Sequence, residues 1–312
     1  MCGLENEDFC NVYDLEFQWR DFFHTCQRKA GYLPTTLAVN ENGRENSTPT
    51  TEIQTITGVR PKLHVLDTKE LSKIITTIQR TNISETLRSQ PICALPSKNE
   101  PKVLYNETYV NISHLSRLLE IGVDIFSSMT LFKHLTKTFD KKVLSSLKEK
   151  AANKNKFAAS LNLNVSTLFS EEFASFDAVL TDSKKSSTIL EIHIADIFEN
   201  IPRFIMARKI VQKLGYRVCL DGLDSFGFTQ IDRKSLGCDL AKVQWHPELN
   251  TEDGKKKKEK LSKAVEKCNP KRVILCRCDN EDAIEYGKSI GVSLFQGRYI
   301  DKLLNPDAKV TN

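Results

Sequence analysis

From residue 86 to 305 the chain alternates short apolar runs with longer stretches whose apolar residues recur at helical spacing. Runs at 88–95, 103–110, 157–165, 187–195, 216–222, 240–245, 272–278 and 292–298 have strand length. Between most of them lie segments such as NIPRFIMARKIVQKLG and NEDAIEYGKSIG, apolar every three or four residues and closed by glycine, which predict helices. Such alternation predicts an α/β fold with a parallel sheet wound by helices, and eight strands suffice to close a barrel.

In a barrel of this kind the chemistry sits at the carboxyl ends of the strands. Glu107, Asn164, Glu191, Asp221 and Lys242 lie within or at the ends of apolar runs, where a polar group without a partner is costly. Coming from five different strands, they are expected to converge on one pocket. The blander reading is that an acid at a strand end caps the helix after it, which is the commoner use of any single one.

Ahead of the barrel the pattern is less regular. The aromatic stretch at 13–30 reads as a helix, and the Thr- and Asn-rich stretch at 40–57 reads as a loop or linker. LDTKELSKIITTIQR then predicts a helix, opened by Asp67 and Glu70 at capping-box spacing, with Leu71, Ile74, Ile75 and Ile78 on one face. The division expected is an N-terminal extension over 1–85, a barrel over 86–305 and a tail over 306–312.

Composition narrows the classes. The chain has 40% hydrophobic and 27% charged residues. No apolar run approaches the roughly 18–20 residues of a membrane span, and MCGLENEDFC lacks the basic flank and apolar core of a secretory signal. A cytoplasmic protein that does not engage the membrane is expected. Nine cysteines, several isolated in apolar runs, fit reduced, mostly buried thiols. The net charge of +5 owes much to GKKKKEKLSK at 254–263, which has no interleaved aromatics and reads as a solvated loop or helix start. DNA is not an expected partner. Cys276 and Cys278, alternate residues that would both face inward on a strand, form a Cys-x-Cys pair with no further ligands at zinc spacing, which favours inert thiols.

The ordered set of strand-end residues resembles the bacterial EAL domains, which hydrolyse the second messenger cyclic di-GMP on a modified (β/α)8, TIM-like barrel with two divalent metals. The resemblance runs over about 86–303. It rests on SQPI with Gln90, on NETYV with Glu107 at the first letter of the signature, and on NLNVS with Asn164. It continues through LEIHI with Glu191, then Asp221, LAKVQ with Lys242, and LFQGRYI with Gln296 and Gly297. It implies a metal set of Glu107, Asn164, Glu191 and Asp221, and ligand contacts at Gln90, Lys242, Asp279 and Gln296.

The same comparison locates departures. Where the family has two successive aspartates, this chain has Asp221 followed by Gly222. The glutamate that activates the attacking water corresponds to Cys276, the aspartate two after the lysine to Gln244, the second glutamate of Glu-x-Thr-Glu to Ile194, and an arginine after the signature to Asn111. Two-metal hydrolysis needs both cations, so the resemblance implies a degenerate site without a catalytic residue, able to hold one Mg or Ca ion. An equal alternative is that the inherited groups satisfy one another and Lys242. The function expected is a cyclic di-GMP receptor or a module that binds a protein partner, and a homodimer is in keeping with the family. The second reading is a slow phosphodiesterase with Asp224 or Asp279 standing in for lost groups. A third places the function in residues 1–85.

Overall fold

Two strand-forming runs only seven residues apart set the topology. The computed structural model describes residues 64–95, 101–125, 127–153 and 158–305. The readings made above for 13–30, 40–57 and 306–312 lie outside the described residues. Strand β1 is His64–Val65, β2 is Leu87–Ala94, β3 is Lys102–Val110 and β4 is Val123–Asp124. The remaining strands are β5 at Ala159–Asn162, β6 at Thr188–His193, β7 at Arg217–Leu223, β8 at Leu240–Gln244, β9 at Val273–Cys276 and β10 at Leu294–Phe295.

Eight of these close into a barrel in the order β10-β2-β3-β5-β6-β7-β8-β9. All eight runs expected to be strands supply one barrel strand each. The barrel is not wholly parallel, however: β2 runs antiparallel to both β3 and β10. The cause is connection length. Residues 95–101 are too few for a crossover, which needs about a dozen residues or more, so β2 and β3 pair as neighbours in opposite directions. From β3 to β10 every barrel pairing is parallel.

Helix α1, Thr68–Arg80, starts where its cap predicts: the Asp67 carboxylate accepts the Glu70 backbone N–H at 2.7 Å. Glu70 pairs with Lys73 at 3.1 Å. Leu71, Ile74 and Ile78 are buried and Ile75 packs beside them. After α2 (Ile112–Leu118) comes α3, Met129–Asn153, whose Leu135 and Phe139 share a buried cluster with α1. A larger cluster fills the space between the barrel and its outer helices, and a small one (Ile92, Tyr105, Ile189, Cys219, Leu240, Ile274, Leu294) fills the barrel itself. The lysine-rich stretch lies within a 17-residue helix, Glu252–Cys268.

A buried carboxylate ties α3 to the barrel. Asp140 Oδ2 accepts the Asn164 backbone N–H at 2.7 Å, the Asn164 amide at 2.8 Å and the Thr167 hydroxyl at 2.6 Å. Burial pushes its pKa up to about 6, against the pull of those donors, and Asp196 adds to the rise. A carboxyl that binds its proton more tightly when folded stabilises the fold fully below its unfolded pKa, and that contribution is lost as pH rises through the folded value. Unfolding free energy should therefore fall by about 3 kcal/mol between roughly pH 4 and pH 6 through this group. Urea titrations across that range should show the slope in the wild type and its loss in Asp140→Asn; parallel curves would refute the assignment.

Candidate functional site

Strand alternation builds the site. Side chains two residues apart share a face, so each apolar residue inside the barrel is followed, two positions nearer the mouth, by a second inward residue. Tyr105, Ile189, Cys219, Leu240, Ile274 and Leu294 thus lead to Glu107, Glu191, Asp221, Lys242, Cys276 and Gln296. On β2, which runs the other way, Ile92 leads back to Gln90, directly opposite Glu107. On β5 the inward pair is Ser160 and Asn162.

Lys242 is the centre of this ring. Its ammonium is 2.8 Å from Glu107 Oε2 and 2.5 Å from Glu191 Oε2, and the residue is only 3% exposed. Glu191, 1% exposed, also accepts the Ser160 hydroxyl at Oε1. Glu107 accepts the Asn162 amide at Oε1 and the Gln296 amide at Oε2. All four oxygens of the two glutamates therefore have donors.

One ammonium serves three carboxylates, because Asp221 acts electrostatically on both Glu191 and Lys242. Burial works against the charged form of Lys242, but Glu191, Glu107 and Asp221 together hold its pKa well above the usual lysine value. Burial likewise opposes ionisation of Glu107, and the Lys242 charge with the three hydrogen bonds outweighs it, so this carboxyl titrates below its ordinary value. For Glu191 burial works against ionisation more strongly than Lys242 favours it, and with the charges of Glu107 and Asp221 its pKa is raised above the usual carboxylate value. The extra negative charge is thus least tolerated at the deepest member of the ring.

Of the residues singled out from the sequence, Glu107, Glu191, Lys242 and Gln296 are in direct contact, with Asp221 beside them. Asn164 is not among them: β5 ends at Asn162, and the chain beyond turns Asn164 toward Asp140 and Thr136 of α3. Asn162 takes the place expected for it. Gln90 is on the inner face, but its amide donates to Asp301 at 2.8 Å. Asp279 accepts the Arg298 backbone N–H at 3.1 Å and so caps the helix Arg298–Leu304.

The two cysteines do not share a face. Arg277, at φ 60, ends the strand, so Cys276 stays at the mouth while Cys278 is buried in the outer core. The Cys276 thiol donates to the Val243 carbonyl at 3.4 Å, and burial followed by the Asp221 charge pushes its pKa up to about 12. A thiol held in this form is neither a base nor a hard-metal ligand.

Gly222 and His193 form a unit that the sequence did not reveal. Gly222 has φ 80, and a Cβ there would lie 2.3 Å from His193 Nε2. His193 is held in place because its Nδ1 accepts the Ala195 backbone N–H at 3.2 Å. The imidazole thus covers the space from which a side chain at 222 would start.

In kind, the oxygens of Glu107, Asn162, Glu191 and Asp221 suit one hard divalent cation. In the arrangement seen, one oxygen of each glutamate is bridged by the Lys242 ammonium. Among the described residues no group of three or more His, Cys, Asp and Glu is disposed to hold a metal ion.

No family model and no curated protein matches the chain at the level of sequence. Solved structures do. Vibrio cholerae LapD (S helix-GGDEF-EAL) matches in its apo form with TM-score 0.53 and 15% identity, over 76% of this chain and 58% of that one. Its form bound to c-di-GMP matches with TM-score 0.55 and 13% identity, over 74% and 57%. The Xanthomonas citri FimX EAL domain in complex with c-diGMP matches with TM-score 0.54 and 12% identity, over 74% of this chain and 93% of that domain. Bacillus subtilis YkuI, in complex with c-di-GMP and calcium, matches with TM-score 0.50 and 15% identity, over 75% and 57%. The chain spans under three fifths of the length of the LapD protein it matches. Its fold is that of an EAL domain.

Gly222→Asp tests the His193 contact. The substitution should destabilise the protein by about 1–3 kcal/mol, from the left-handed backbone together with displacement of the imidazole. In the His193→Ala background the same change should cost measurably less by urea denaturation. Additive effects would mean that the two positions do not meet.

Proposed function

We propose that this chain is a cytoplasmic signalling protein that recognises cyclic di-GMP at the barrel mouth and acts by binding, passing the signal to a protein partner, and not by cleaving the nucleotide. The observation that carries the reading is the state of the ring. Hydrolysis by two metals requires carboxylates for both cations and a base for water. At the matching positions stand Gly222 under an imidazole, Gln244, and Cys276 as a protonated thiol. What remains is polar and pre-organised, and it is placed where barrels of this kind take their ligands. The same EAL fold carries c-di-GMP in LapD, FimX and YkuI.

Two further features are in keeping with this. The six described cysteines are all free. No helix among the described residues is long and apolar enough to cross a membrane. One Mg or Ca ion is the cofactor the oxygen donors suit. Pairing of two copies through the barrel belongs to the same reading.

Glu107, Glu191 and Asp221 favour a second function, weak metal-dependent phosphodiesterase activity, since three carboxylates persist around one mouth. Calorimetry with cyclic di-GMP, followed by chromatography of the same samples after a day with Mn2+, separates the two. The expected result is saturable binding at about micromolar concentration with the cyclic dinucleotide recovered intact. Linear dinucleotide that disappears with Glu107→Ala would establish the slow enzyme instead, and absence of both binding and turnover would leave a scaffold that no longer reads the nucleotide.

A further inference from the structure

We infer that the amino-terminal rim of the barrel, opposite the mouth, is a docking surface for the headgroups of an anionic lipid bilayer. The inference concerns a face at the other end of the strands from the Lys242 ring and does not depend on cyclic di-GMP binding.

The rim is assembled where three helices end. Ile201–Lys213, Arg233–Leu236 and Glu252–Cys268 precede β7, β8 and β9 in turn, so their last turns lie at the ends of the strands away from the mouth. Hydrogen bonds join them edge to edge. The Gln212 amide donates to the Gly237 carbonyl at 2.9 Å, and the Arg233 guanidinium donates to the Cys268 carbonyl at 2.8 Å. Segments 208–214, 232–239 and 266–272 together carry eight lysines and arginines against three acids. Lys209, Lys213, Lys234, Lys267, Lys271 and Arg272 are exposed. Of the acids, Asp239 accepts the Gln212 amide and the Val218 backbone N–H, and Asp232 caps its own helix through the Lys234 backbone N–H.

Apolar groups are exposed on the same face. Met206, Ile210 and Leu214, spaced four residues apart, form one line down Ile201–Lys213 to the rim and are 52, 43 and 37% exposed, with Lys209 and Lys213 beside them. Helix ends favour cations in any case. That preference places no aliphatic side chains among them.

Charge and apolarity together select the partner. An anionic bilayer offers a diffuse negative plane over a hydrocarbon boundary, and lysine, a point charge on a flexible stem, suits it. Nucleic acid calls for stacking aromatics and arginine forks. The three segments contain no aromatic residue, and Arg208 and Arg233 are tied to the carbonyls of Gly237, Cys238 and Cys268. The contact is adsorption, which needs neither a membrane span nor a secretory signal, the two features whose absence led to the expectation of a chain apart from the membrane. Bound by this rim, the protein keeps its mouth turned toward solution.

The test is cosedimentation of the full chain with vesicles of phosphatidylcholine alone or with about one third phosphatidylserine. Binding should require the anionic lipid and weaken at least about tenfold between ~0.1 and ~0.5 M salt, as the screening length shortens. Lys267→Glu with Lys271→Glu should lower the partition by at least about tenfold, since each basic residue near such a surface is worth about fivefold. Ile210→Ser with Leu214→Ser should weaken binding about tenfold and leave its salt dependence in place. Lys69→Glu with Lys73→Glu, at exposed positions of α1, makes the same change of net charge elsewhere and should leave binding within about twofold of wild type. No binding to anionic vesicles, equal binding to neutral ones, or an equal loss from the α1 pair would overturn the inference. So would tighter binding to a single-stranded RNA, or a dimer that the Ile210 and Leu214 changes break in a protein indifferent to vesicles.

Discussion

The barrel mouth is organised by one buried ammonium between two buried carboxylates. Lys242 could not be carried at 3% exposure without Glu107 and Glu191, and neither glutamate could be held so deep without it. Removing one partner of such a set typically costs about 3–5 kcal/mol, because the groups left behind are charged, dry and unpaired. The amide and hydroxyl donors around them complete the arrangement, with Asn162 and Gln296 on Glu107 and Ser160 on Glu191. Every strand that contributes to this set is thereby tied to the others through side chains as well as through the sheet.

The fold makes this possible by supplying depth and register. The inner apolar layer sets the floor, and the next inward residue on each strand is the first that meets the mouth. A shift of one residue in any strand would exchange its ring residue for one of the outer core. The antiparallel start serves the same end. It sets Gln90 opposite Glu107 at the seam where the barrel closes, and there its amide reaches Asp301 of the helix Arg298–Leu304.

Most of this architecture was legible in the sequence because the strands are short, apolar and punctuated. The eight strands and the barrel they form could be read from periodicity, and so could Glu107, Glu191, Asp221 and Lys242 as polar residues at the ends of apolar runs, whereas Gln296 came from the family resemblance alone. Three features could not. The reversed direction of β2 depends on a connection length that strand patterns ignore, although the gap between the runs was a usable signal. Asn162 and Asn164 alternate in step, and only the end of β5 decides which one faces the ring. The contact between His193 and Gly222 joins neighbouring strands through a left-handed backbone angle, and no local pattern announces it. Asp140, which fixes the turn after β5, had one faint signature, an acid set among Phe139, Val143 and Leu144 on an otherwise apolar helix face.

The claim on which the account turns is that charge in the mouth is balanced from within the chain. Anomalous diffraction at the manganese edge from crystals of the wild-type protein grown with manganese and cyclic di-GMP addresses it most directly. The account predicts Lys242 Nζ in contact with both Glu107 and Glu191 and at most one manganese peak at the mouth. Two peaks bridged by those carboxylates, with the lysine side chain displaced, would contradict it.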